Sequence, residues 1–181
     1  MKVSIMIALL VVGFQVAEAQ NTFTLVSNEI GGQAEQAHFF QGFGCTGANE
    51  SPQISWKNSP EGTQSYALTL YDKDAPTGSG WWHWQVINIP TSATEIPAKA
   101  GDVTQDLMPK GAVQIQTDYG TYGYGGPCPP EGDAPHQYVL TLYALDLASL
   151  ELTKDTSSAI VGYMINSHVI EQASIVFYAK R

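Results

Sequence analysis

Two short segments, far apart in the sequence, carry the side chains best suited to chemistry. The first reads Asp-Lys-Asp-Ala-Pro-Thr-Gly-Ser-Gly-Trp-Trp-His-Trp over residues 72–84, so it combines two carboxylates and an imidazole with three indoles. The second, residues 125–138, contains a histidine and a tyrosine after a Gly/Pro-rich stretch. Indole rings favour burial, and a buried carboxylate needs a partner. Together the segments indicate the rim of a small polar pocket set in an apolar body.

The residue types in these segments fit a receptor for an oxyanion. The imidazoles of His83 and His136 and the phenol of Tyr138 can donate hydrogen bonds, and a nearby carboxylate raises the pKa of an imidazole and favours its charged form. Backbone N–H groups of a glycine-rich turn can add donors. We expect Asp72 to orient an imidazole rather than to contact the anion, and we expect a phosphate or carboxylate group to lie among the donors.

Several of these residues also allow a purely structural interpretation. We expect the rings of Trp82 and Trp84 to form the pocket wall, although a strand buried on both faces would explain them without any site. Asp74 could simply cap a turn. His38 and His168 have no Gly/Pro loop beside them, and we expect both to be structural.

Metal binding and catalysis remain as alternatives. Zinc could use four of the side chains, although no closely spaced histidine pair supports such a site: Asp72, Asp74, His83 and His136. An enzyme could use Asp72 and His83 as an acid/base pair, but the nearest hydroxyl, that of Ser79, lacks the Gly-x-Ser-x-Gly context of a nucleophile elbow. We therefore expect a binding protein that is not an enzyme and that has no metal and no cofactor.

Short strands between Gly, Pro, Asn and Asp turns dominate the rest of the chain. Strands are predicted over residues 23–27, 53–57, 66–71, 82–89, 112–116, 137–145 and 174–179. One helix is predicted from about Ser157 to Glu171, with Asp155 or Thr156 as its N-cap. This pattern predicts an all-β protein, an antiparallel β-sandwich with one main C-terminal helix.

Strand periodicity predicts that the polar side chains converge. Alternate residues of a strand share a face, so Asp72 continues the apolar face of one strand, while His136 and Tyr138 begin the apolar face of another. The first loop, residues 73–81, joins two predicted strands. If these strands pair antiparallel, His83 returns to the side of Asp72. We therefore expect these four side chains to lie at one end of the core, with Asp74 nearby.

The N-terminal residues have the build of a secretory signal peptide. Lys2 precedes an apolar run over residues 3–16, and Ala17-Glu18-Ala19 is a small-x-small cleavage pattern. The run is short for a membrane span, and no second run of this kind follows. We expect a signal peptide over residues 1–19 and one soluble domain over residues 20–181, exported to a periplasm or secreted.

Charge and cysteine content narrow the class further. The formal net charge is -9, which argues against nucleic acid as a partner and against stable association with an anionic membrane. In an exported chain, the pair Cys45 and Cys128 favours a disulfide, although two buried thiols or a metal pair remain open. Closing so long a loop would stabilise the fold by roughly 4–5 kcal/mol if the bond is unstrained.

The same two segments resemble those of the phosphatidylethanolamine-binding protein family, also called Raf-kinase-inhibitor-like proteins, and most closely its small bacterial branch. The resemblance is carried by residues 71–84 and 126–138, with similar order at residues 43–45, 49–52 and 162–164. It covers essentially the whole chain after the predicted leader. The resemblance implies an antiparallel β-sandwich without catalytic activity.

The resemblance also implies a ligand and a set of binding residues. The family pocket holds small anions such as phosphate, acetate or the phosphate-bearing head group of a phospholipid. Its positions correspond here to Asp72, Asp74, Pro76, His83, Gly126, His136 and Tyr138. Animal members restrain protein kinases, so the alternative function is an inhibitor that docks a phosphorylated or carboxylate-bearing segment of a protein partner such as a protease or kinase. Export argues against a cytosolic kinase of the same cell.

Two departures from the animal members bear on the site. The chain ends soon after its last predicted strand, so the pocket is expected to be more open than theirs. Cys128 stands where those members usually have glycine, and a bond to Cys45 would brace the loop beside the anion.

Overall fold

The computed structural model describes residues 22–181, so the predicted signal peptide lies outside the described residues. Ten strands occur in this part of the chain: β1 Thr24–Val26, β2 Gln41–Gly42, β3 Cys45–Thr46, β4 Ile54–Lys57, β5 Ser65–Asp72, β6 Trp81–Pro90, β7 Glu95–Ile96, β8 Val113–Gln114, β9 His136–Leu145 and β10 Val169–Ala179. The helical elements are a 3₁₀ turn at Gln36–His38 and helix α1 at Ser158–His168.

The strands form two stacked sheets and a small hairpin. The large sheet has the order β10-β9-β5-β6-β8, the small sheet has the order β1-β4-β7, and β2 pairs with β3 alone. All pairings between these strands are antiparallel. The prediction of an antiparallel all-β sandwich with one main helix is confirmed.

The large sheet is buried on both faces along its central strands β5, β6 and β9, whereas alternate residues of β10 are exposed. Its inner face packs against the small sheet, where Leu70 and Trp84 share a core with Trp56. Its outer face packs against α1, which contributes Val161 and Ile165 to a second cluster. Burial on both faces explains why β5 has apolar side chains at consecutive positions, over residues 66–68 and 70–71, rather than only at alternate ones.

A bulge interrupts the pairing of β5 with β6 beside the loop that joins them. Leu70 pairs with Trp84 and Tyr71 pairs with Trp82, so His83 is an extra residue on β6. A bulge bends the strand and redirects the side chain that it inserts. Here His83 reaches the Tyr138 ring, which belongs to the inner core, at a centroid distance of 5.1 Å.

The predicted helix is too long at its C-terminal end. Helix α1 ends at His168, and the next residue, Val169, begins β10 by pairing with Leu145 of β9. The β-branched pair Val169-Ile170 favours an extended backbone, and cross-strand pairing adds to that preference.

The predicted N-cap is also wrong. Ser157 occupies the N-cap position with an extended backbone and forms no side-chain capping bond. The carboxylate of Asp155 instead accepts a hydrogen bond from the hydroxyl of Tyr122, and the hydroxyl of Thr156 accepts one from the backbone of Thr153. Neither side chain is therefore available to cap the helix.

A disulfide joins Cys45 of β3 to Cys128, whose Cα atoms lie 5.9 Å apart across a sequence separation of 83 residues. The predicted disulfide is confirmed, and the alternatives of free thiols or a metal pair are excluded for these two residues. Among residues 22–181, no helix is long and apolar enough to cross a membrane.

Candidate functional site

A cavity of about 200 Å³ opens at the edge of the large sheet where β5 ends and where β6 and β9 begin. Five of the seven anion-site residues expected from the sequence line it: Asp72, Pro76, His83, His136 and Tyr138. A larger groove of about 1010 Å³ runs along residues 27–35, but its lining contains no imidazole. The convergence expected from strand periodicity is present in the smaller cavity.

Asp72 and His136 form a buried pair at the base of this cavity. Nδ1 of His136 lies 2.8 Å from Oδ2 of Asp72, and both side chains are almost fully shielded from solvent. Nε2 of the same ring lies 3.4 Å from Oδ2 of Asp133, a more exposed carboxylate. The other oxygen of Asp72 accepts a hydrogen bond from the backbone N–H of Asp74. Asp72 thus orients the imidazole of His136, as expected from the sequence.

Asp74 and Gly126 lie outside the cavity wall. The carboxylate of Asp74 accepts hydrogen bonds from Nζ of Lys73 at 2.6 Å and from the backbone N–H of Gln137 at 2.8 Å, and these bonds lower its pKa. It therefore ties the first loop to the start of β9. Gly126 supports the site from behind, because its carbonyl faces His83 and its N–H donates to Asn49.

The imidazole of His83 is held by the backbone of the second loop, residues 125–135, which precedes β9. Its Nδ1 lies 2.7 Å from the carbonyl oxygen of Gly125 and 3.1 Å from that of Gly126. Carbonyl oxygens only accept hydrogen bonds, so Nδ1 carries the proton. Burial lowers the pKa of His83 to about 4, although the bond to Gly125 and the charge of Asp72 oppose this. His83 is therefore neutral near pH 7, in contrast to the charged donor that the sequence suggested.

Tyr138 brings an unsatisfied hydroxyl to the site. Its ring is buried and stacks on Phe177 at 5.4 Å, while its hydroxyl has no hydrogen-bond partner among the described residues. Burial, together with the neighbouring charge of Asp72, raises the pKa of this phenol. The hydroxyl therefore keeps its proton and remains a donor.

The aromatic walls differ from those expected. Trp84 is fully buried in the core, where its Nε1 donates to Gln114 at 2.8 Å, and Trp82 packs on Tyr71 at a centroid distance of 4.5 Å. Neither residue lines the cavity, and Trp81 does so instead. The expectation for Trp82 and Trp84 is corrected, because residues two apart on a strand share a face and Trp81 therefore accompanies His83.

Two further aromatic wall residues, Tyr119 and Phe43, were not expected from the sequence. The hydroxyl of Tyr119 donates to the carbonyl of Gly126 at 3.1 Å, and its ring meets that of His83 edge-on at 5.4 Å. The Phe40 ring stacks on the Tyr119 ring at a centroid distance of 4.0 Å. The only signal for Tyr119 was its place in the tyrosine- and glycine-rich stretch before the second loop.

The two histidines expected to be structural lie away from the cavity. His38 is buried, with Nδ1 2.9 Å from the carbonyl oxygen of Glu50. His168 lies beyond the opposite end of β9, with Nδ1 2.9 Å from Oδ1 of Asp146.

The charge of the cavity wall limits what it can hold. Asp72 supplies a carboxylate, and the lining contains no lysine and no arginine. Lys73 lies close in sequence, but its ammonium pairs with Asp74. Within residues 22–181, no group of three or more His, Cys, Asp or Glu side chains is arranged to hold a metal ion. The donors available to a ligand are therefore neutral groups and the imidazole paired with Asp72.

The sequence matches one protein-family model and is similar to bacterial proteins. The family model for phosphatidylethanolamine-binding protein matches residues 31–180. The UPF0098 protein YbcL of Escherichia coli strain K12 is 49% identical over 155 residues, which cover 84% of this chain and 85% of YbcL. The putative lipoprotein LppC of Mycobacterium tuberculosis strain H37Rv is 34% identical over 134 residues, which cover 74% of this chain and 62% of LppC.

Solved structures agree with the sequence comparisons. The crystal structure of Escherichia coli YbcL, described as a new member of the mammalian PEBP family, matches with a TM-score of 0.86 at 47% identity and covers 88% of this chain and 98% of its own. A putative phosphatidylethanolamine-binding protein homologue, CT736 from Chlamydia trachomatis, matches with a TM-score of 0.73 at 26% identity, covering 89% and 99%.

Proposed function

Because the chain belongs to the phosphatidylethanolamine-binding protein family, we propose that it is an exported binding protein whose cavity holds a small phosphate-like anion. The hydroxyl of Tyr138 carries this proposal, because it is buried beside the cavity without a partner. Buried polar groups in native proteins nearly always have a partner, so a bound oxygen atom is the natural acceptor for this donor.

The other wall residues support the same ligand. The imidazole of His136 is held in a fixed orientation by Asp72. Pro76, Trp81 and Phe43 give the rim an apolar surface that excludes water and strengthens hydrogen bonds inside. A small anion with an apolar substituent fits this combination of a polar base and an apolar rim.

Binding without catalysis is the second part of the proposal. The lining contains one aliphatic hydroxyl, that of Thr77, and one cysteine sulfur, that of Cys128. The Thr77 hydroxyl donates to the carbonyl oxygen of Gly80 at 2.5 Å, and Cys128 is held in the disulfide. Neither is paired with an imidazole that could act as its general base.

Export rests on the disulfide and on the N-terminal sequence. Disulfides persist in oxidising compartments and are rare in the cytosol. The relative LppC is described as a putative lipoprotein, and the leader-like residues 1–19 of this chain fit transport across a membrane. Cell fractionation with the leader intact and with it deleted tests this part, and an equal cytosolic fraction for both forms would count against export.

The test of anion binding uses Tyr138→Phe, which removes only the unpartnered oxygen. Calorimetric titration with phenyl phosphate should show affinity reduced by about 10- to 100-fold, because a hydrogen bond to a charged group contributes about 1.5–3 kcal/mol. Tyr143→Phe is the matched control, since Tyr143 lies on β9 but on the opposite face of the sheet. Equal affinity in both variants would contradict the proposed site.

An inhibitor role is the second candidate, and Phe43 favours it. This ring is 73% exposed at the cavity rim. It lies in the turn between β2 and β3, next to Cys45 of the disulfide, and contacts the Tyr119 ring at 5.5 Å. An exposed but fixed aromatic ring is typical of a contact residue in a protein interface.

The inhibitor role predicts a selective effect of Phe43→Ser. Affinity for a phosphotyrosine-containing peptide should fall by about tenfold, because an aromatic contact in an interface contributes more than about 1 kcal/mol. Affinity for inorganic phosphate, which has no apolar substituent to contact the rim, should stay nearly unchanged. The same loss for both ligands would leave Phe43 a wall of the small-anion site and would remove the support for a protein partner.

A further inference from the structure

The two nitrogens of His83 have different hydrogen-bonding roles. Nδ1 donates to the carbonyl oxygens of Gly125 and Gly126, so it is fixed as the protonated nitrogen. In the neutral ring the other nitrogen, Nε2, then presents a lone pair. Nε2 forms no hydrogen bond within residues 22–181, and His83 lines the cavity. The cavity therefore offers an acceptor at this point, not a donor.

The groups that face His83 from the neighbouring elements keep its ring neutral. Tyr138 of β9 and Tyr119 of the preceding loop contact it edge-on, and both phenols have pKa values raised mainly by burial. Asp72 of β5 favours the charged imidazole and His136 of β9 disfavours it. Burial outweighs these charges and lowers the pKa of His83 to about 4.

A fully ionised phosphate group suits this environment poorly. Its oxygens carry only lone pairs, so an oxygen beside Nε2 of His83 would face another lone pair. The Asp72 carboxylate would repel a dianion, and the lining supplies no lysine or arginine to offset that charge. A phosphate group that keeps one proton removes both difficulties, because its P–O–H can donate to Nε2 and its charge is halved.

We propose that the cavity binds a phosphate monoester together with one proton, as the monoanion whose P–O–H donates to Nε2 of His83, in preference to the dianion and to a phosphodiester. The inference rests on the proposed function and adds the ligand class and its protonation state. The proton comes from solvent, and no covalent bond to the ester forms or breaks. Transfer of the same proton onto Nε2 in the complex leaves the stoichiometry unchanged.

Proton uptake can be measured directly. Phenyl phosphate has a second pKa of about 6, so it is mostly the monoanion at about pH 5 and the dianion at about pH 8. Calorimetric titration in two buffers of different ionisation enthalpy gives the number of protons taken up per ligand bound. We expect close to one at about pH 8 and close to none at about pH 5, with affinity falling about tenfold per pH unit above about pH 7.

Three outcomes separate this inference from the proposed function. No binding of phenyl phosphate at either pH would overturn both. Binding at about pH 8 with no proton uptake would overturn the inference and leave the anion site standing. At about pH 5, methyl phenyl phosphate, a phosphodiester with no ionisable proton, should bind at least about tenfold more weakly than phenyl phosphate, and equal affinity would also overturn the inference.

Two controls locate the proton. His168→Gln removes an imidazole at the opposite end of β9, about 30 Å away at the rise of a strand, and should leave the uptake unchanged. Nitrogen NMR of the His83 ring in the free protein should show a protonated Nδ1 and an unprotonated Nε2. The opposite tautomer would remove the acceptor on which the inference depends.

Discussion

Nδ1 of His136 and Oδ2 of Asp72 lie 2.8 Å apart although 64 residues separate them in the sequence. The contact joins the start of β9 to the end of β5, which are neighbours in the large sheet. It therefore connects the two segments that carry the candidate site. Both side chains are buried, so this contact satisfies one polar atom of each.

The first prediction is that this pair is energetically coupled. In a double-mutant cycle with Asp72→Asn and His136→Gln, urea unfolding should give a coupling free energy of about 1–3 kcal/mol, because each substitution breaks the carboxylate–imidazole contact between two buried side chains. The control cycle uses Asp146→Asn and His168→Gln, the same residue types at a more exposed contact. That pair should give less than about 1 kcal/mol. Equal coupling free energies in the two cycles would contradict the prediction that burial strengthens the Asp72–His136 contact.

The second prediction concerns stability against acid. The pKa of His83 is about 4 in the folded protein and 6.5 for an ordinary histidine, so between these values the unfolded chain binds more protons. The free energy of unfolding should therefore fall by about 3 kcal/mol as the pH drops from 6.5 to about 4. Above pH 6.5 this contribution to stability should be fully present.

Urea unfolding across this pH range measures the effect. His83→Gln should show a shallower pH dependence than the wild type, while His168→Gln should keep the wild-type slope. If His83→Gln does not fold, NMR titration of the His83 ring in the wild type gives the same information. A midpoint near the ordinary value for this ring would contradict the buried neutral imidazole.

The third prediction concerns the disulfide. Cys128 lines the cavity and Cys45 lies in the β2–β3 hairpin that carries Phe43, so the bond fixes the hairpin to the cavity wall. Reduction should lower the free energy of unfolding by about 2–5 kcal/mol and should weaken phenyl phosphate binding.

Thiol counting and a double variant complete this test. Denatured, unreduced protein should contain no free thiol. A variant with Cys45→Ala and Cys128→Ala should lose stability and should no longer respond to reductant. A wild-type protein whose ligand affinity is unchanged after full reduction would show that the disulfide does not support the cavity.

The fourth prediction concerns Gly126, whose carbonyl holds His83. A Cβ atom at this position would lie 2.0 Å from the carbonyl oxygen of His38 and 2.7 Å from the backbone nitrogen of Phe40. Gly126→Ala should therefore destabilise the fold by about 3 kcal/mol or more and should weaken anion binding, because the backbone must shift. Gly31→Ala is the control, since nothing lies within 4 Å of its added Cβ. Equal thermal stability of the two variants would contradict the close approach behind the site.

The sequence alone was sufficient to predict the long strands and the convergence of the site residues. Alternation places Asp72 on the face of Leu70, and it places His136 and Tyr138 on the face of Leu140. The two-residue strands β2, β3 and β7 are too short to produce a periodic signal. Their positions depend on contacts between segments that are distant in the sequence.

The bulge at His83 could not be predicted from the alternation of residues along β6. Simple alternation places His83 and Trp84 on opposite faces of β6, and an inserted residue changes that assignment without changing the composition of the strand. Alternation from His83 does identify Trp81 as the wall residue in place of Trp82 and Trp84. The tautomer of His83 depends on carbonyls from a remote loop, so only the folded geometry reveals it.

The most direct test of the anion site is a crystal structure of the protein with phenyl phosphate. We predict a phosphoryl group inside the cavity, with one oxygen within hydrogen-bond distance of the Tyr138 hydroxyl and another beside Nε2 of His83. A phosphoryl group bound only outside this cavity, in crystals that leave the cavity open to solvent, would contradict it.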